Sequence, residues 1–212
     1  MNLEQVLPAD IEKRSFEIIT EELGNRILDP ENEAVIKRVI HTTADFDYAD
    51  NLTFSPHAVT KGLEALRLGT PIITDTNMGK AGINKTALHK TGSEVYCFMA
   101  DEDVAKAARE AGTTRATASM DKAAALSSQG KDCIFAIGNA PTALIRVKEL
   151  VDQGKLHPKL IIAVPVGFVN VVQAKELILD LDIPYIVARG RKGGSNVAAA
   201  ICNALLYQLV SC

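Results

Sequence analysis

The segment KRVIHTTADFDYAD, residues 37–50, combines side chains that could move a proton and hold an anion. His41 falls in the last turn of a predicted helix, where the helix dipole favours a protonated imidazole. Arg38 lies three residues earlier on the same face, so one face would offer a cation and a group that titrates near neutral pH. A metal site is a poorer interpretation, because the spacing to Asp45 needs an unbroken helix and the sequence after His41 is typical of a loop. A helix-end histidine paired with Asp45 or Asp47 remains an open structural interpretation.

A second candidate is ARGRKGGSNVAAAICNALL, residues 188–206, which follows a predicted strand and opens an alanine-rich helix. Its backbone N–H groups at Gly193, Gly194 and Ser195 could bind an anion at the helix start. Three cationic side chains stand beside them: Arg189, Arg191 and Lys192. The pattern is not GxGxxG and lacks an acidic residue at ribose distance, so a carboxylate or phosphate fits better than a dinucleotide. An ordinary strand-to-helix turn with Ser195 as N-cap fits the residues equally well.

Three weaker features complete the set. Arg115 begins a predicted helix, where a cation opposes the helix dipole unless it meets an anion, so its position mildly favours a ligand contact. Residues 79–86, GKAGINKT, nearly match a nucleotide-binding P-loop, but Asn84 replaces the second glycine, and we therefore predict no nucleotide site. In IGNAPTAL, Asn139 and Thr142 are candidate caps of the helix that follows.

The elements that must position these residues follow a simple alternation. Five short apolar runs, rich in branched and aromatic residues, predict buried strands at 71–75, 94–98, 133–137, 160–166 and 183–188. Helical patterns separate them or close the chain at 100–111, 115–129, 141–154, 171–181 and 195–210, and three more precede them at 8–25, 29–41 and 55–69. The alternation predicts a three-layer, doubly wound α/β domain with a parallel five-stranded sheet and additional N-terminal helices. Ligands of such sheets bind beyond the carboxyl ends of the strands.

Composition narrows the possible classes. The 212 residues suit a single domain over 1–212, and the net charge of -3 gives no global field for nucleic acid. No apolar run approaches the ~20 residues that a membrane span needs, and the N-terminus has no signal pattern. The cysteines form no CxxC pair, which favours a reduced, cytoplasmic protein: Cys97, Cys133, Cys202 and Cys212.

Seven segments, in chain order, resemble the precorrin-8X methylmutases, also called precorrin isomerases, of cobalamin biosynthesis. They are RSFEII (14–19), KRVIHTTADFDYAD (37–50), ITDTNMGKAGI (73–83), TTRATASMD (113–121), IFAIGNAPTAL (134–144), PVGFVNVVQAKE (165–176) and GRKGGSNVAAAICNALL (190–206). The resemblance covers nearly the whole chain, and IGNAPTAL together with GRKGGS is specific to that family.

The resemblance implies a flavodoxin-like sheet and an isomerase that moves a methyl group from C-11 to C-12 of a corrin precursor, a formal 1,5-sigmatropic shift. It implies a homodimer with the active site near the subunit interface, a corrinoid tetrapyrrole as the bound partner, and no redox cofactor. Cobalt, where present, belongs to the substrate, and Ala44 and Asp45 after HTT are the version associated with the cobalt form. The alternative is a non-catalytic corrin carrier built on the same anion sites.

Residue by residue, the catalytic histidine of that family, a proton donor and acceptor, falls on His41. Its substrate contacts fall on Ser15 and Arg38. Further residues are expected to line the pocket: Arg115, Gly193, Gly194 and Ser195. A macrocycle with many carboxylates calls for scattered arginines and N–H donors around an apolar cleft, which agrees with the interpretation drawn from the residues themselves.

Overall fold

The computed structural model describes residues 3–127 and 132–210 and contains one six-stranded sheet. In chain order the strands are β1 (Leu52–Phe54), β2 (Ile72–Thr74), β3 (Val95–Tyr96), β4 (Ile134–Ile137), β5 (Leu160–Ala163) and β6 (Tyr185–Ala188). They lie in the order β1-β6-β5-β4-β2-β3, and β2 to β6 are all parallel. The five predicted strands are thus confirmed, and their spatial order is that of flavodoxin-like sheets.

Strand β1 was not predicted. Its three residues pair antiparallel with β6, with Leu52 opposite Ala188 and Phe54 opposite Ile186. Its segment offers no continuous apolar run, because the polar Thr53 separates Leu52 from Phe54, so only its pairing with β6 reveals it.

The helices of the described residues agree with the eight predicted ones and add three short ones. They are α1 (Ile11–Leu23), preceded by a 3-10 turn at Pro8–Asp10, α2 (Glu33–Thr43), α3 (Tyr48–Asn51), α4 (Ala58–Arg67), α5 (Asn77–Gly82), α6 (Lys85–Thr91), α7 (Glu102–Glu110), α8 (Arg115–Ser127), α9 (Pro141–Asp152), α10 (Val171–Leu179) and α11 (Ser195–Val210). Helices α3, α5 and α6 were missed, and positions 128 and 129 of the helix predicted over 115–129 lie outside the described residues.

The sheet is covered on both faces, which explains why its strands are continuously apolar. In β4, Ile134 and Ala136 join one core cluster, whereas Phe135 and Ile137 join the other. Helices α1, α2, α3, α4, α6 and α11 contribute to the first cluster, and α7 to α10 contribute to the second. Three layers result, as predicted.

Helix α2 sits between α1 and the apolar helix α11. Its buried residues Val35, Ile36, Val39 and Ile40 recur at helical spacing and face the core. The helix ends at Thr43 because Ala44 takes a left-handed conformation, with φ 52°, and donates its N–H to the Ile40 carbonyl. The chain then turns towards the carboxyl edge of the sheet, where the Arg189 N–H donates to the Asn51 carbonyl over 2.9 Å.

Candidate active site

His41 and Arg38 lie together on the surface of α2, against α1. The exposed His41 ring stacks on Phe16 of α1, with ring centroids 5.5 Å apart and planes inclined by 22°. The Arg38 guanidinium carbon lies 4.8 Å from the Phe16 ring centroid and 4.9 Å from that of Tyr207. An arginine between two aromatic rings is attracted to both and holds a fixed direction. The predicted pairing of a cation and a histidine on one face is therefore present.

The Arg38 guanidinium already holds a carboxylate. Its Nη2 donates to Glu12 Oε1 over 2.6 Å, and only 15% of the Arg38 side chain is exposed. The hydrogen bond from Arg38 holds the pKa of Glu12 below its usual value, and the nearby charges of Arg38 and His41 act in the same direction. Arg38 is thus a prearranged carboxylate site that a residue of the chain itself fills.

Ser15 lies beside Phe16 on α1. Its hydroxyl donates to the Ile11 carbonyl one turn earlier, over 2.8 Å. This local bond uses the proton of the hydroxyl and leaves its lone pairs available. The Ser15 hydroxyl oxygen can therefore still accept a hydrogen bond, although none joins it to His41 or Arg38 in the described part of the chain.

Asp45 and Asp47 belong to a different network from His41. Lys192 Nζ donates to Asp45 Oδ2 and to Asp47 Oδ2, each over 2.6 Å. Lys192 lowers the pKa of Asp45 by hydrogen bonding, and the two carboxylates raise the pKa of Lys192. Within residues 3–127 and 132–210, His41 has no hydrogen bond or ion pair with Asp45 or Asp47, so the interpretation that pairs them is wrong. Lys192 also ties the glycine-rich loop to the end of α2.

The glycine-rich loop packs directly on strand β5. The Gly194 N–H donates to the Val164 carbonyl over 2.8 Å, and a Cβ on Gly193 would lie 2.1 Å from that oxygen. The Ser195 hydroxyl lies 2.7 Å from the Thr76 hydroxyl after β2, so the side chain links two loops. The Gly194 N–H is therefore already hydrogen-bonded to the Val164 carbonyl. The loop as a whole lies at the carboxyl edge of the sheet, where the sequence predicted it.

Arg115 lies on the other side of the sheet, at the start of α8. The Thr114 and Thr142 hydroxyls, 3.0 Å apart, hold this start beside the start of α9. Across residues 3–127 and 132–210, the exposed Arg115 guanidinium has no hydrogen bond or ion pair and no contact with His41. The structure therefore places Arg115 at the carboxyl edge as a cation open to an anion, apart from the His41 cluster.

Asp75, at the carboxyl edge of the sheet, is a residue that the sequence analysis did not single out. Its carboxylate, 1% exposed, accepts the N–H groups of Gly138, Asn139 and Ala140 over 2.9, 2.8 and 2.6 Å. Burial raises the pKa of Asp75, and the three N–H donors oppose that shift. Asp75 thus satisfies the start of α9, and neither Asn139 nor Thr142 is its cap.

The position of Asp75 could have pointed to this role. It directly follows β2, and β2 and β4 flank the place where strand order reverses, which is the usual ligand position in such sheets.

Lys175 is the second missed residue. Its side chain is fully buried, and its Nζ donates to the carbonyls of Gly190 and Lys192 over 2.9 and 2.7 Å. Burial lowers the pKa of Lys175 to about 8. The available signal was its spacing, because Lys175 falls on the same helical face as the apolar Val171, Ala174 and Ile178.

Other features of the described residues concern metals, membranes and cavities. Residues 3–127 and 132–210 hold no cluster of three or more histidine, cysteine or acidic side chains arranged to bind a metal. None of the helices in those ranges combines the length and apolar character that a membrane span requires. A cavity of about 720 Å³ opens at the amino ends of the strands, near Pro71, Lys159 and Pro184, away from the His41 cluster.

Comparisons with known proteins identify the family of this chain. The family model described as precorrin-8X methylmutase matches residues 10–208. A cobalt-precorrin-8 methylmutase of Salmonella typhimurium is 45% identical over 207 residues, covering 95% of this chain and 96% of the relative. One of Leptospira interrogans is 44% identical over 206 residues, covering 94% and 93%.

A crystal structure of a precorrin-8x methyl mutase from Thermus thermophilus superposes with a TM-score of 0.86 at 38% identity, covering 95% of this chain and 98% of that one. The matches span sequence and fold together over almost the full length of both partners. This chain belongs to the precorrin-8X methylmutase family.

Proposed function

We propose that this protein isomerises cobalt-precorrin-8 by moving the methyl group at C-11 of the macrocycle to C-12, with His41 as proton donor and acceptor. As a member of its family, the chain is an isomerase of cobalamin biosynthesis. The observation that carries the residue assignment is the exposed His41 ring stacked on Phe16, next to the aromatic-flanked Arg38.

The chemistry asks for three contributions from the chain. Arg38 binds a peripheral carboxylate of the substrate in place of Glu12, and Arg115 and the glycine-rich loop offer further anion contacts. Phe16 provides an apolar surface for the ring. His41, in the last turn of α2, lends a proton to the macrocycle and takes it back.

The bond between C-11 and the methyl carbon breaks as the bond to C-12 forms, so no atoms or electrons are gained or lost. Proton transfer of this kind contributes on the order of 10²–10⁴ in rate. We therefore propose that no redox cofactor is needed and that cobalt enters only as part of the substrate. The names of the two relatives at 44% and 45% identity support the cobalt form, as does Ala44–Asp45 after HTT.

The proposed working state is a cytoplasmic homodimer. Several large apolar side chains are exposed around the carboxyl edge of the sheet: Met78, Val166, Phe168 and Val169. Phe168 is 81% exposed, and the Arg191 guanidinium carbon lies 5.4 Å from its ring centroid. Exposed apolar groups near a site favour a partner surface. A sedimentation velocity run that shows only monomer at micromolar concentration would contradict the dimer.

Turnover tests the function directly. The purified protein is incubated with cobalt-precorrin-8, with metal-free precorrin-8 in a parallel reaction, and the visible spectrum is followed. His41→Ala should lower kcat by on the order of 10²–10⁴. His89→Ala, at an exposed histidine of α6, serves as the matched control and should retain full activity.

Each outcome has a distinct meaning. If His41→Ala turns over as fast as the native protein, the role of His41 is wrong. If the native protein binds the corrinoid product but converts neither substrate, the protein is a corrin carrier. A higher kcat/KM for metal-free precorrin-8 would overturn the choice of the cobalt form.

A further inference from the structure

Lys175 is a buried cation that the packing of α10 does not require. Its neighbours on the same helical face are apolar, and within residues 3–127 and 132–210 the hydrogen bonds of its Nζ go to the carbonyls of Gly190 and Lys192, at 2.9 and 2.7 Å. Withdrawing an ammonium group from water is costly unless partners compensate. An apolar side chain at this position would avoid that cost, so the lysine is explained by the loop that it holds.

The loop held by Lys175 connects three parts of the candidate site. It begins after β6, and Gly190 takes a positive φ of 78° at its turn. The Lys192 carbonyl points inward to Lys175, while the Lys192 side chain reaches outward to Asp45 and Asp47. The next residues are the glycines that pack on β5. One buried ammonium therefore fixes the backbone of the residue whose side chain binds the segment after α2.

We propose that Lys175 is a positioning residue for the methyl migration: it fixes the Gly190–Lys192 turn and, through Lys192, holds the end of α2 that carries His41 against the glycine-rich loop. This inference rests on the proposed function, because it assigns to Lys175 an effect on proton transfer by His41. Lys175 touches no reacting atom. It acts through the bonds at 2.6–2.9 Å that run from its Nζ to the two carbonyls and from Lys192 to the two carboxylates.

The test removes each end of this connection separately. Lys175→Met keeps a long unbranched side chain and deletes the buried charge. Lys192→Met cuts the exposed end and leaves Lys175 in place. Lys106→Met, at an exposed lysine of α7, is the matched control. Turnover of cobalt-precorrin-8 is measured per product-binding site, so that loss of folded protein does not count as loss of catalysis.

The expected result is a fall in kcat of about 10- to 100-fold for both variants with KM changed less than about 3-fold, since a misplacement near 1 Å can cost 10²-fold. Because both act through one connection, the double variant should fall no further than the lower single variant. Lys106→Met should match the native protein.

Two results would overturn the inference. One is an unchanged kcat per site for Lys192→Met, a variant at a surface position that tests the connection even if Lys175→Met does not fold. The other is a double variant whose losses multiply, which would show independent effects. Failure of the proposed function looks different, because native protein would then give no turnover or His41→Ala would be fully active.

Discussion

Gly193 is the position where the structure predicts the sharpest effect of a single added methyl group. In Gly193→Ala, the new Cβ would lie 2.1 Å from the Val164 carbonyl oxygen and 2.8 Å from that of Pro165. Both atoms are backbone at the end of β5, so neither can rotate away. The loop itself must move by about 1 Å to restore an ordinary contact distance. Overpacking that forces such a backbone shift is costly.

The cost follows from what that movement breaks. The Gly194 N–H donates to the same Val164 carbonyl over 2.8 Å, and Gly194 is buried. A shift near 1 Å removes this bond and leaves a buried donor unpaired, which costs about 1–3 kcal/mol. Overpacking strain adds about 1–3 kcal/mol. We expect Gly193→Ala to lower the free energy of unfolding by the sum of these two costs, about 2–6 kcal/mol.

Urea denaturation at pH 7 measures this loss, and Gly154→Ala separates steric overlap from backbone strain. Gly154 has a left-handed φ of 66° but open space around its Cβ position. It should lose only about 1 kcal/mol. The displaced loop of Gly193→Ala should also lower kcat by up to about 10²-fold. If the two variants differ by less than about 1 kcal/mol in unfolding free energy, the steric argument is wrong.

Two further predictions concern charge. Glu12→Gln frees Arg38 for a substrate carboxylate and should tighten product binding about 2- to 5-fold, which is the value of an exposed ion pair. Glu17→Gln on the same helix is the control and should leave product binding unchanged. Equal product affinities of Glu12→Gln and the native protein in a titration would refute the competition. Lys175, with a pKa of about 8 when folded and an ordinary value of 10.5, makes the folded state bind fewer protons between those pH values, so stability should rise with pH there. Urea denaturation from pH 8 to 10 should show about 2 kcal/mol more gain in the native protein than in Lys175→Met. The opposing loss from Cys202, whose pKa burial raises to about 12, is common to both proteins and cancels in that difference; matching pH slopes would contradict the buried charge.

The side chains around Arg38 prepare it to bind a carboxylate of the macrocycle. Arg38 is held between Phe16 and Tyr207, so its direction is set before any ligand arrives. A prearranged cation loses little conformational entropy on binding. Glu12 keeps that cation paired meanwhile, which avoids the cost of an isolated, largely buried charge.

Most of the strands and helices can be predicted from the sequence alone. Short continuous apolar runs identify the five strands, because both faces of the sheet are covered, and a 3.6-residue periodicity identifies the eight helices. The same periodicity places Arg38 and His41 on one face of α2. The missed elements lack these signals: in β1 the polar Thr53 interrupts the apolar run, and α3 has only four residues, too few for a helical repeat.

The partners of the polar side chains, in contrast, depend on the tertiary packing. Lys192 pairs with Asp45 across 147 residues of chain, and Asp75 binds the start of α9 from 65 residues away at Ala140. Any exposed lysine is an equally good partner for an aspartate, and any buried carboxylate can accept N–H groups. Spacing fixes the face of an element on which a residue lies, whereas its partner is fixed by how α1, α2 and α11 pack and where the sheet reverses its strand order.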